Sequence, residues 1–211
     1  MINTLKSVGL LICLGVWSLP ILAETNPHIF IDAKAQKMVQ IIRENQELFT
    51  SEPELFKAKI NVVFEPMVDF RRVGASVMGK KFYLAATPAQ RIQFIETFRA
   101  SLLDTYSETL AQWGDQKIET TFPESLIFEK TEDVHQNLVT LSNTYPITYK
   151  VRSDGKGNWL IINIIVNGIN LGLTFRNQFQ ALAEEHDENL DAIIANWISD
   201  ADLETRPWPL I

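Results

Sequence analysis

The densest apolar stretch beyond the N-terminal region is Trp159 to Val166 (WLIINIIV), broken only by Asn163. A run this rich in β-branched and aliphatic residues, closed by the turn pair Asn167-Gly168, predicts a strand covered on both faces. It is far too short to cross a bilayer as a helix. The apolar character continues through Ile169, Leu171, Leu173 and Phe175 to Phe179. The strand therefore offers apolar side chains in two directions. One direction must be core, and the other needs a helix layer or a ligand.

Upstream of residue 115 the apolar period is helical. Asn26-Pro27 is a helix start, because Asn caps and Pro suits the first turn. That helix runs to about Asn45 and buries Ala35, Met38, Val39, Ile41 and Ile42. Ser51 and Glu54 stand at capping-box spacing before Leu55, Phe56, Ile60, Val63 and Phe64, with Pro66 ending or kinking the helix. Asp69 to Tyr83 predicts a short helix closing at Gly79 in a left-handed cap. Thr87-Pro88-Ala89-Gln90 is the strongest local signal, a capping box with Pro in the first turn. The long helix after it carries Ile92, Ile95, Phe98, Leu102, Tyr106, Leu110 and Trp113 in steps of three and four, up to Gly114.

The period then changes. Lys117 to Phe122, Val134 to Ser142, Ile147 to Arg152 and Trp159 to Val166 read as strands, separated by turn residues such as Asn143-Thr144 and Ser153 to Gly157. Short connections imply an antiparallel meander of about four strands. Phe175 to Glu185 and Asn189 to Ile198 return to helix, with Asp187 a candidate cap. Helices first, sheet later and helices folding back is an α+β pattern. Residues 24–200 suit a single domain and 201–211, with Pro207 and Pro209, a loose tail.

Composition changes this picture in two places. Lys6, the apolar run Val8 to Leu19 and the small residue of Leu22-Ala23 mark residues 1–23 as a signal peptide, cleaved near Ala23. Cleavage would remove Cys13, the only cysteine, so the mature chain would rely on its core without disulfides. The net charge of −7, with no basic patch, argues against nucleic acid as a partner.

Catalytic chemistry is sparse. His28, His135 and His186 are scattered, without carboxylate or cysteine partners at ligand spacing, and read as surface residues. Asp69 with Arg71 and Arg72 reads as a helix-surface ion-pair cluster, and Glu184 to Glu188 as a solvated loop. No serine-hydrolase elbow, phosphate loop or zinc-protease motif occurs. The sequence nominates no nucleophile, metal site or cofactor.

Two segments together carry a family resemblance: residues 77–106 (VMGKKFYLAATPAQRIQFIETFRASLLDTY) and 158–179 (NWLIINIIVNGINLGLTFRNQF). The matching positions are Gly79, Phe82-Tyr83, Thr87-Pro88, Gln90-Arg91, Phe94 and Phe98, then Trp159, the aliphatic strand, Gly168-Ile169, Leu171, Arg176 and Phe179. In these the chain resembles the MlaC, or toluene-tolerance, family of periplasmic phospholipid-binding proteins. It departs from that pattern at Asn163, Asn167 and Asn170, where the resemblance leads one to expect Asp, Glu and Ser. Two of those changes remove a charge.

The resemblance implies an NTF2-like α+β roll with a deep apolar cavity between sheet and helices. It also implies a periplasmic carrier whose cargo is phospholipid. Its implied partners are an outer-membrane lipoprotein–porin complex and an inner-membrane ABC transporter with an MCE-domain subunit, and its implied role is upkeep of outer-membrane lipid asymmetry. On that basis the cavity-lining candidates are Phe94, Phe98 and Leu102 on the long helix, with Val139, Leu141, Ile147 and Tyr149 on the middle strands. Ile162, Ile164, Val166, Ile169 and Leu171 complete the set. Ile162, Ile164 and Val166 share one strand parity, but the sequence leaves open which parity faces a ligand. Two other classes also stay open: an NTF2-like small-molecule enzyme, which needs a buried ionisable group, and a periplasmic chaperone for apolar peptides.

Overall fold

The computed structural model describes residues 26–111 and 113–199, so the expected signal peptide and the tail 201–211 lie outside the described residues. Five helices, α1 (Pro27–Glu44), α2 (Gln46–Ser51), α3 (Pro53–Met67), α4 (Phe70–Ala85) and α5 (Pro88–Ala111), precede the strands β1 (Lys117–Thr120), β2 (Thr131–Val139), β3 (Thr144–Ser153), β4 (Trp159–Val166) and β5 (Ile169–Asn170). Helices α6 (Leu171–Glu185) and α7 (Leu190–Ala195) follow. The α+β expectation holds. The sheet is antiparallel in the order β1-β2-β3-β4-β5, and its fifth strand is only two residues long. That strand exists because Asn167 and Gly168 both take positive φ (49° and 84°), the two-residue turn that suits the twist of a hairpin.

Local signals set most helix starts. The Asn26 side chain accepts from the backbone N–H of His28 and Ile29 at 2.8 and 3.3 Å. Thr87 and Gln90 form the reciprocal box: Gln90 N–H donates to Thr87 Oγ1 at 3.2 Å and Thr87 N–H to Gln90 Oε1 at 3.0 Å. Asp69 caps α4 by accepting from Arg72 N–H at 3.0 Å, and its other oxygen meets the Arg72 side chain.

Three expected starts and stops differ. Ser51 does not cap α3, since its hydroxyl donates back to the Glu47 carbonyl inside α2. Asn189, not Asp187, caps α7, while Asp187 and Glu188 both take positive φ in the preceding turn. Gly79 has the expected positive φ, but at φ 70°, ψ 165° it kinks α4 rather than ending it. His28 is a further correction. It is buried rather than on the surface, with Nδ1 3.1 Å from the Thr121 carbonyl and its ring beside Phe128. Burial lowers its pKa, an effect that the Thr121 contact opposes.

Helix α1 is fixed to the sheet by polar contacts at its first turns. Thr120 Oγ1 donates to Asp32 at 2.6 Å, and the buried Gln136 amide donates to Thr120 Oγ1 at 2.8 Å. Along β4 the pairing with β3 runs Tyr149↔Ile164, Lys150↔Asn163 and then Val151↔Ile161, so Ile162 is an extra, bulged residue. The bulge changes parity in mid-strand: Trp159 and Ile161 are buried on the helix side, and beyond the bulge so is Val166. Next to the bulge, the Ile161 carbonyl accepts from Asp69 N–H at 3.0 Å, tying the α3–α4 junction to β4.

The apolar interior is divided. One cluster is aromatic and joins α4, α5, α6 and α7 through Phe82, Phe94, Phe98, Phe175, Phe179 and Trp197. Phe94 packs edge-on to Phe179 at 5.1 Å and to Trp197 at 5.3 Å between centroids. A second cluster joins α1 and α3 to the sheet around Trp159, a third joins α1, α3 and α5, and a fourth lies on the sheet at Leu138, Ile147 and Val166.

Two expectations follow. The conformation of Gly79 is open essentially to glycine alone, so Gly79→Ala should cost about 1–3 kcal/mol in urea unfolding although a Cβ there would meet Arg176 only at an ordinary 3.5 Å. Ile161→Ala should cost about 2–5 kcal/mol, whereas Ile162→Ala, at the half-buried bulge position, should cost about 1 kcal/mol or less. Equal losses at the two positions would contradict the bulged register.

A candidate ligand cavity between sheet and helices

The four clusters are bridged by half-buried residues such as Met38, Tyr149, Ile164 and Leu171, and these surround a cavity of about 330 Å³. Each wall follows from an amphipathic element. Helix α1 contributes Ala35, Met38, Val39 and Ile42, and α3 contributes Ile60, Phe64 and Met67, both at helical spacing. Helix α5 contributes Phe98, Leu102, Tyr106, Thr109 and Leu110, from its middle to its C-terminal turn. The sheet supplies Ile118, Leu138, Ile147, Tyr149, Ile161, Ile164 and Val166, and α6 closes the circuit with Leu171, Gly172 and Phe175.

Of the sequence candidates, Phe98, Leu102, Ile147, Tyr149, Ile164, Val166 and Leu171 line this cavity. Five do not. Phe94 is fully buried, but within the aromatic cluster. Val139 lies on the face opposite Leu138, and Leu141 sits in the β2–β3 turn with 96% of its surface exposed. Ile162 is the bulged residue, so the parity that holds for 164 and 166 fails at 162 and Ile161 lines the wall instead. Ile169 pairs with Val166 at the sheet edge without lining the cavity. Sequence reasoning also missed the α1 and α3 walls. Their apolar stripes were visible, but a stripe facing a cavity has the same period as one facing a core.

The junction of β4 with α6 is built around asparagine. Asn163 Oδ1 accepts from Gly172 N–H at 3.1 Å, and Asn170 Oδ1 accepts from Leu173 N–H at 3.1 Å, so two of the free donors of α6 are satisfied by neutral side chains. Gly172 is required by the approach: a Cβ there would stand 2.5 Å from Asn163 Oδ1.

Among the described residues, no Asp, Glu, His, Lys, Arg or Cys lines the cavity. Its polar members are Tyr106, Thr109, Trp113, Gln116, Thr140, Tyr149 and Asn163. Burial pushes the Tyr149 phenol up to about 12, so it stays neutral and protonated at ordinary pH. The described residues contain no cluster of three or more metal-ligating side chains. Such a wall can hold an apolar molecule and orient it.

Comparison with known proteins agrees with this geometry. The family model for MlaC protein matches residues 32–199. The chain is 33% identical over 199 residues to the toluene tolerance protein ttg2D of Pseudomonas putida, covering 93% of this chain and 91% of that one. It is 24% identical over 153 residues, 71% of each chain, to the intermembrane phospholipid transport system binding protein MlaC of Haemophilus influenzae. The fold is similar to that of the phospholipid-binding protein from Ralstonia solanacearum, solved in complex with a phospholipid. That match has a TM-score of 0.73 at 19% identity and covers 81% of this chain and 94% of the other. By the match over residues 32–199 and the 33% identity to ttg2D, the chain belongs to the MlaC family.

Proposed function

We propose that this protein is a periplasmic phospholipid carrier that holds acyl tails in the cavity between sheet and helices. The observation that carries the reading is the wall itself, a continuous apolar lining contributed by α1, α3, α5, α6 and the sheet with no ionisable side chain other than tyrosine. The names of its relatives, a phospholipid transport binding protein and a phospholipid-binding protein, support the same cargo. A free phospholipid in water exposes tens of methylenes at about 0.8 kcal/mol each. Moving tails from bilayer to a dry cavity exchanges one apolar surrounding for another, so the net cost is small. A carrier needs shape and dryness, not catalysis.

In this reading the lipid passes between an outer-membrane lipoprotein–porin complex and an inner-membrane ABC transporter with an MCE-domain subunit, and the traffic maintains outer-membrane asymmetry. The cavity is at the small end of the roughly 300–1,000 Å³ typical of ligand pockets. Its helical walls would have to yield for two full tails, which suits a carrier opened by a partner that prefers the open form.

Mass spectrometry of an organic extract of the purified protein should find diacyl phospholipid of mixed headgroup at near-stoichiometric load. An empty protein, or one filled with peptide, would exclude the carrier. Ile164→Glu and Val166→Glu should each abolish that load, since a carboxylate against acyl chains costs several kcal/mol. Ile162→Glu and Ile165→Glu, neither of which lines the cavity, should retain it. Loss of lipid in all four through unfolding would remove the assignment of the wall.

Transfer should depend on the partner. Loss of residues 1–23 removes Lys6 and no acid, taking the net charge from −7 to −8. The mature chain has no basic cluster to draw it to anionic bilayers, where each Lys or Arg contributes about 1 kcal/mol. Fluorescent phospholipid should therefore reach the lipid-free protein quickly only when the inner-membrane complex is present. Rapid extraction from anionic liposomes alone would refute this.

A further inference from the structure

The polar groups on the cavity wall are not spread evenly. Thr109 and Trp113, at and just beyond the end of α5, Gln116 before β1 and Thr140 after β2 gather at one end of the sheet, where Lys117 pairs with Val139. The far end, where Val68 bridges to Ile161, is lined by Met67, Val68 and Ile161. The wall is thus amphipathic along its length, like an acyl lipid.

At the polar end one donor is left over. Trp113 Nε1–H is buried and has no hydrogen-bond partner among the described residues. Its surroundings are otherwise fully tied. The Trp113 backbone N–H donates to the Leu110 carbonyl at 3.1 Å, and its carbonyl accepts from the Gln46 amide. Arg43 donates to the carbonyls of Gly114 and Gln116 at 3.3 and 3.0 Å. With its indole donor unmatched in a residue that lines the cavity, Trp113 can serve an acceptor brought by the ligand once the wall yields to it. Tyr149 packs on the same Leu138–Ile147–Val166 cluster as Trp113 and lines the same cavity.

We propose that Trp113 Nε1–H donates to an ester carbonyl of a bound diacyl lipid, so that the acyl–glycerol linkage lies at the α5–β1–β2 end of the cavity and the tails run toward Met67 and Ile161. This inference rests on the carrier reading. An indole N–H can only donate, so it selects a carbonyl and offers nothing to a bare hydrocarbon or to an ether-linked tail, whose oxygen is the weaker acceptor. The linkage would fix how deeply the tails enter, leaving the headgroup outside the apolar wall.

The test is competition for the lipid-free protein between diester phosphatidylcholine, its diether analogue of equal chain length, and palmitate. Wild type should favour diester over diether by about 3- to 10-fold, the range of one net hydrogen bond. Trp113→Phe should bring the ratio to about one while still binding the diether lipid. In the 15N-labelled wild type, the Trp113 indole N–H resonance should move on loading with diester and stay near its lipid-free position with diether, a readout that needs no variant to fold. Equal affinities and no differential resonance shift would overturn the inference and leave the carrier reading standing. Palmitate displacing diester at equal acyl concentration would reassign the carbonyl to a free fatty acid and overturn it too. Failure of the wild type to take up any of the three would remove the carrier reading itself.

Discussion

The cavity depends on one irregularity in β4. A strand of strict alternation could present only alternate residues to the helices, and the two ends of β4 need opposite parities to do so: Trp159 and Ile161 at one end, Ile164 and Val166 at the other. The extra residue at Ile162 resolves the conflict, because a bulge lets two residues oppose one and turns the strand. It also places the Ile161 carbonyl within reach of Asp69 N–H and the Asn163 side chain against the first turn of α6. The α3–α4 junction and α6 are therefore both held by the same few residues of β4. The cavity is enclosed by what the bulge makes possible.

A single domain that keeps an internal cavity gives up packing that a closed core would supply, and it must find stability elsewhere. Here it comes from concentrating the interior into separate clusters. The aromatic group centred on Phe94, Phe98, Phe179 and Trp197 is dense, with five centroid separations between 5.1 and 6.0 Å at Phe94 and Trp197 alone. None of its buried members belongs to a strand. The cluster around Trp159, by contrast, fastens α1 and α3 to the sheet. Between them the wall side chains touch neighbours on one side only, and a ligand can supply the other. Rigid anchors beside a yielding gap suit a protein that must both hold a cargo and release it.

Much of this was legible in the chain. The Thr87–Gln90 box, the Asn26-Pro27 start and the Asn167-Gly168 turn are local chemistry, and each forms as the residues dictate. The helix-then-sheet order was readable from the change of period. The wall was less so. Val139 and Leu141 were placed on it because they are apolar, yet Leu138 and Thr140 hold the inward parity, and only pairing with β3 decides between them. Ile162 fails for a different reason, because a bulge has no signature in a run where every residue is apolar. Phe94 and Phe98 stand one helical turn apart on α5 and both are buried against Trp197, but only Phe98 also reaches the cavity. That distinction is tertiary, and periodicity does not contain it.

The asparagines that set this chain apart from the pattern it resembles bear directly on the wall. Asn163 lines the cavity and caps Gly172. A carboxylate in its place could accept the same bond and gain about 0.3–1 kcal/mol from the α6 N-terminus, and more if partly buried. It would also set a charge beside the tails of any bound lipid, where desolvation opposes it. The amide gives the hydrogen bond without the charge. At Asn167 the trade is of another kind: with φ at 49°, the position favours asparagine among residues with side chains, so the turn into β5 is tightened. In both places a charge is exchanged for local geometry. The junction of β4 with α6 is thereby a more neutral surface, and a partner docking there would have to recognise it by shape and hydrogen bonding more than by long-range attraction.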